Sequence, residues 1–164
     1  SEITMSQNPQ FIVKAAGSFK QNQGCSNESI DSLSPERLEY LCAGECYNPS
    51  NEREVIEKIE IIKITPQIYA GEAVSPLIQD PWKTIPCQGT GECIVEFEDQ
   101  NFSRDSVYYV RALQNSTPAI NGSSLSQRDS FKLCKGSFRT DLTDDCLSMT
   151  KERAWSSPIY VNKP

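Results

Sequence analysis

The sequence predicts a mainly β protein, a two-layered β-sandwich interrupted by long stapled insertions and carrying one short helix. Three observations support this. Ser106 to Gln114 (SVYYVRALQ) is rich in β-branched and aromatic residues and has turn-forming residues on both sides. Cys93 to Glu98 (CIVEFE) alternates, placing Cys93, Val95 and Phe97 on one face and Glu96 and Glu98 on the other. Seven cysteines in 164 residues exceed what packing alone needs.

Length and charge narrow the classes. At 164 residues the default is a single domain over 1–164. A net charge of −6 leaves no excess of Lys and Arg to displace counterions, which argues against nucleic acid. No apolar run approaches the ~20 residues that span a bilayer. Ser1 to Gln10 lacks the basic start and apolar stretch of a signal peptide, so the chain is expected to be a piece of a longer, exported protein.

In chain order, Pro9 to Phe19 (PQFIVKAAGSF) is the first strand candidate. Phe11, Val13 and Ala15 oppose Ile12 and Ala16; both faces are largely apolar, which suits the middle of a sheet. Residues 20–33 are Gly/Asn/Ser-rich and are expected to be loop. Ser34-Pro35 opens a short helix, with Ser34 as cap and Pro35 at the first helical position. Leu38, Leu41 and Cys42 give that helix an apolar edge, and Gly44 can close it. Lys58 to Thr65 is a strand because its β-branched residues lose rotamer freedom in a helix. Ile59 and Ile61 oppose Ile62 and Ile64, so either both faces are buried or a bulge shifts the register. Pro66 to Gly91 holds four prolines and is expected to be mostly irregular, with one short strand near Ile68 to Ala70. Asn115 to Glu152 is a polar insertion. Trp155 to Val161 is a final strand, and Pro158 assigns it to an edge.

Cys25, Cys42, Cys46, Cys87, Cys93, Cys134 and Cys146 are all disulfide candidates. Zinc is disfavoured, since only Cys42 and Cys46 have knuckle spacing and the chain contains no histidine. Cys25 to Cys42 or Cys46 would pin the helical insertion. Cys87 with Cys93, and Cys134 with Cys146, would each close a small loop. The odd count leaves one thiol free or paired outside the chain.

No catalytic residue is nominated, because acid–base chemistry most often uses histidine. Asp141, Asp144 and Asp145 could ligate calcium through oxygen, although a solvated acidic loop is the simpler reading. Glu96, Glu98 and Asp99 read as a strand's outer face and the turn after it. Trp82, Arg153 and Trp155 are interface candidates. For Trp155, core packing beside a surface Arg153 is the main expectation, with stacking on a ligand or domain as the alternative.

Asp105 to Ala112 (DSVYYVRA) resembles the F strand of immunoglobulin-like and fibronectin-like domains, with Tyr108 at the spacing of a tyrosine corner, and SSPIYV resembles their G strand. This implies an immunoglobulin/fibronectin-like β-sandwich. LCAGECYNP, DPWKTIPC, YYVRALQ, PAING, DDCL and ERAWSSPIYV together resemble the C-terminal part of a family of long, mostly exported bacterial proteins of unassigned function. The N-terminal part of those proteins resembles the polymerase-and-histidinol-phosphatase (PHP) metallohydrolases. The resemblance implies a non-catalytic accessory domain whose partner is the N-terminal catalytic domain of the same polypeptide. It needs no cofactor of its own and is located in the periplasm or outside the cell. The family's His-x-His metal motifs have no counterpart here. The alternative is a cell-surface or periplasmic binding module for carbohydrate or a protein partner.

Overall fold

The computed structural model describes residues 1–42, 47–120 and 147–164. Its elements in chain order are β1 (Glu2–Thr4), β2 (Gln10–Ala16), β3 (Phe19–Gln23), α1 (Asn27–Ser32), α2 (Pro35–Cys42), β4 (Tyr47–Arg53) and β5 (Ile56–Ile64). A 3-10 turn at Ser75–Leu77 follows, then β6 (Ile78–Pro86), β7 (Glu92–Glu98), β8 (Ser106–Ile120), β9 (Leu147–Trp155) and β10 (Ile159–Asn162). The chain divides into two compact units. One comprises Ser1–Gly17, Glu54–Asn115 and Glu152–Pro164, the other Ser18–Arg53 and Ser116–Lys151.

The first unit holds the sandwich. One sheet runs β1-β10-β8-β5-β6, with β9 also paired to β8, and β2 and β7 form a second, two-stranded ladder. Ile56, Ile59 and Ile61 of β5 share one core with Cys93, Val95 and Phe97 of β7, and Phe11, Val13 and Ala15 of β2 pack against it. Burying each large aliphatic or aromatic side chain contributes about 1.5–3 kcal/mol. The order β10-β8-β5-β6 facing β2-β7 is the G-F-C-C′ over B-E arrangement of an immunoglobulin-like sandwich.

β7 alternates as its sequence requires, with Cys93, Val95 and Phe97 buried. β5 lies between β6 and β8, which buries Ile59, Ile61 and Ile62 completely. Its register also shifts, between Ile61 and Lys63 against β6 and between Ile56 and Lys58 against β8. Both devices that its opposed isoleucines allowed, two buried faces and a shift of register, are therefore present.

Several expectations need correcting. β2 is not central: β7 is its partner, and Ile12 is 65% exposed because nothing in its unit covers that face. Residues 66–91 contain the nine-residue strand β6, and Ile68 to Ala70 form no strand. Prolines are tolerated in β6 because it is an edge strand, and the register shift against β5 spans the cis Asp80-Pro81 bond and Trp82. The last strand is not an edge, because β1 pairs with β10 in parallel on its far side. The polar insertion is shorter than expected: β8 continues to Ile120 and strand structure resumes at Leu147.

In the second unit, β3 and β4 pair antiparallel around the two helices. Residues 20–33, expected as loop, contain β3 and α1. Ser26 caps α1 by accepting from the Ser29 amide at 3.4 Å. The expected cap of α2 is present, with the Ser34 hydroxyl accepting from the Arg37 amide at 3.3 Å. Lys20 and Glu52 pair across the β3–β4 ladder at 3.0 Å, and the Arg53 guanidinium lies 4.1 Å from the Phe19 ring centre.

Candidate functional site

Among the described residues, those nominated from the sequence do not converge on one site. Asp141, Asp144, Asp145, Gly44, Cys46, Cys134 and Cys146 lie outside the described residues, as does the Cys42 side chain. Cys87 and Cys93 form a disulfide across a sequence separation of 6, as their turn-forming insert implied, and Cys25 is also disulfide-bonded. Trp82 packs against the β5–β7 core and against a second buried cluster formed by Phe102, Tyr108 and Val161. Trp155 is 59% exposed, which overturns its expected core packing: β9 carries it out of the sandwich interior. Arg153 is exposed as expected, two residues away and so on the same face of β9.

A polar cluster to which the sequence motifs pointed only through Tyr108 sits at one end of the sandwich. Its centre is Asp99, 1% exposed immediately after β7, where the sequence implied a surface turn. The Lys63 ammonium donates to Asp99 Oδ2, and so does the Tyr108 hydroxyl at 2.6 Å; the Asn101 amide donates to Oδ1 at 3.1 Å. Lys63 on β5 and Tyr108 on β8 are register partners, so the ladder itself places both donors. The carboxyl is thus shared between the end of one sheet and two strands of the other.

Alternation explains why Lys63 points inward. Ile59, Ile61 and Lys63 occupy every second position of β5, and a charge on that face must be paired. This is the sequence signal that could have located the site. The Lys63 ammonium also stands 5.3 Å from the Trp82 ring centre, and Lys83 stands 4.3 Å from it. Both cations thus meet the electron-rich ring of Trp82. The tyrosine-corner position is occupied, but the Tyr108 hydroxyl binds the Asp99 carboxylate.

A cleft of about 340 Å³ opens beside the cluster, lined by Lys63, Gln79, Trp82, Asp99, Asn101 and Arg104 among others. Arg104 donates to Glu72 Oε1 at 2.8 Å, and the Ile68 amide donates to Glu72 Oε2 at 3.0 Å, tying together the two loops that border it. On the opposite face of the large sheet, Arg111 bridges Glu60 at 2.6 Å and Asp80 at 2.9 Å, and Lys58 holds Glu60 at 2.7 Å.

Protonation follows from these contacts. Burial pushes the Asp99 carboxyl up, but Lys63, Tyr108 and the Asn101 amide outweigh it and hold the carboxyl below its ordinary range. Burial, then the Asp99 charge, pushes the Tyr108 phenol far above its ordinary range, so it remains a donor. The Ile68 amide, then Arg104, lowers Glu72. The charges at the cleft are therefore fixed and mutually neutralised. The cleft can offer hydrogen bonds to an uncharged polar ligand. Among the described residues, no group of three or more His, Cys, Asp or Glu is placed to hold a metal ion.

Residues 83–163 match the model of a family described as a protein of unknown function (DUF3604), just under half of the chain. The match takes in the last four residues of β6 and all of β7, β8, β9 and β10, and leaves out β2 and β5. Comparison with curated proteins and with solved structures returns no match.

Among the described residues, no helix is long and apolar enough to cross a membrane. The Cys87–Cys93 disulfide is compatible with an oxidising compartment.

Proposed function

We propose that this chain is a non-catalytic accessory domain of a larger, exported, metal-dependent hydrolase of the PHP kind, packing against its catalytic domain or shaping the mouth of its site. The observation that carries the non-catalytic reading is the internal neutralisation of the cleft. Lys63 is committed to Asp99 and Arg104 to Glu72, and Tyr108 is held protonated. A general base or nucleophile needs a group poised to change state near the working pH. The packing role draws on the exposed outer face of the β2–β7 ladder, where Ile12 is 65% and Ile94 63% exposed. The link to a PHP-like partner rests on the sequence resemblance.

The test is to assay the isolated chain and the longer polypeptide side by side for phosphoester hydrolysis with added divalent metals. Activity in the longer protein and none in the isolated chain is the expected outcome. Robust hydrolysis by the isolated chain would refute the proposal.

A second reading, a carbohydrate- or protein-binding module, is favoured by the exposed Trp155. Its discriminating experiment is a glycan array with Trp155→Ala as control.

A further inference from the structure

One row of backbone groups on β2 has no strand partner among the described residues. In an antiparallel ladder, residues that exchange both bonds with the partner alternate with residues that exchange none. The Asp99 amide donates to the Pro9 carbonyl at 3.1 Å, and the Gly17 amide to the Gly91 carbonyl at 2.8 Å. With the register Phe11↔Phe97 and Val13↔Val95, this assigns the odd-numbered residues of β2 to the β7 ladder. The N–H and C=O groups of Gln10, Ile12, Lys14 and Ala16 therefore point to the other edge. Among the described residues, β7 is the one strand paired with β2.

A groove of about 260 Å³ runs beside that edge, lined by Phe11 and Val13 of β2, Tyr108 and Val110 of β8 and Ile159 of β10 among others. In the ABED sheet of an immunoglobulin-like domain, strand A pairs with strand B at this position. Here β1 pairs with β10 instead. Among the described residues lining the groove, Lys14 alone is charged. The far edge of the ladder is different: β7 carries Glu92, Glu96 and Glu98, and Lys83 occupies the Glu98 carbonyl at 2.7 Å. Charges of this kind guard an edge against pairing.

We propose that the open edge of β2 takes up an extended strand of the partner domain. That strand presents apolar side chains to the groove at alternate positions and a carboxylate opposite Lys14. Main-chain bonds supply affinity, and the alternating side chains supply selection. The identity of the partner rests on the accessory-domain reading; the strand site does not.

The experiment titrates the 164-residue chain with a blocked peptide of alternating valine and glutamate, and with its valine–lysine counterpart, following backbone amide exchange. Protection of the Ile12 and Lys14 amides is expected, with about fivefold tighter binding of the glutamate peptide, the upper value of an exposed charge pair. Ile12→Pro removes an outward donor and leaves the β7 ladder intact, so it should abolish binding with the far-ultraviolet dichroism unchanged. Lys14→Glu, which folds without demanding a proline, should reverse the preference between the peptides. The proposal is overturned if neither amide is protected, or if Lys14→Glu leaves the preference as it was. It is also overturned if the same amides become protected by self-association without peptide, which would make a second copy the occupant. Hydrolysis by the isolated chain would sink the accessory reading without touching these amides, so the two ideas fail separately.

Discussion

Asp99 joins the two sheets by charge, and its environment makes its removal costly in a specific pattern. Asp99→Asn keeps the shape but leaves Lys63, 9% exposed, without its counter-charge. Breaking one side of a buried pair costs about 3–5 kcal/mol. Tyr108→Phe removes one bond to a charged acceptor and should cost about 1–3 kcal/mol. The triple change Lys63→Met, Asp99→Leu, Tyr108→Phe strands no charge and should recover most of the loss from Asp99→Asn. Urea unfolding of the three variants checks the order. If the triple variant is the least stable, the cluster is not an internally compensated unit. The pH dependence has a definite sign. The folded Asp99 carboxyl lies below its ordinary value of 3.8, so its contribution is present above that pH and is lost as pH falls through the depressed value. Stability measured against pH on the acid side should therefore be flatter in Asp99→Asn than in the parent chain.

The Cys87–Cys93 bridge closes the connection between β6 and β7, strands of opposite sheets. On the chain-entropy account a loop of this length contributes about 2 kcal/mol. Replacing both cysteines by alanine should lower stability by that amount, plus a small cavity term at Cys93, which is 5% exposed. Thermal unfolding of the double variant against the parent measures it; an unchanged midpoint would show that the turn is held by its ladders alone. This bridge and the alternation of β7 were legible because each is local: five intervening positions in one case, a period of two in the other. β6 was not legible, because Pro81 and Pro86 count against a strand unless it is known to lie at an edge. β1 was not legible either, since three residues carry no period and their pairing with β10 joins opposite ends of the chain. The Lys63–Asp99–Tyr108 cluster fell between these cases. Tyr108 was marked by its corner spacing, and Lys63 sat in a recognised strand. Asp99 looked like an ordinary turn residue because nothing local shows that Tyr108 and Lys63 converge on it.

On the scale of the whole molecule, the chain leaves and re-enters the sandwich at closely placed points. A Cβ added to Gly17 would overlap the Glu54 carbonyl, so the two residues that flank the segment 18–53 lie against each other. The Asn115 amide donates to the Val55 carbonyl at 2.8 Å, which puts the start of the second excursion beside the point where the first one ends. In immunoglobulin terms these excursions replace the B–C and F–G connections. Their residues make up the second compact unit, while each core cluster described above draws its residues from the first. Two consequences follow. Gly17→Ala should destabilise by more than about 1 kcal/mol, because backbone rather than a flexible side chain stands in the way. Residues 18–53, in contrast, should be dispensable to the sandwich. Joining Gly17 to Glu54 through a short Gly/Ser turn removes no residue of the β5–β7 core and adds little loop-closure entropy. The shortened chain should unfold in a single cooperative step, with the Cys87–Cys93 bridge formed and the Ile59 and Ile61 amides protected from exchange. Loss of that protection in a chain that retains the bridge would mean that the core is completed by the excised segment, and that the two units are energetically one.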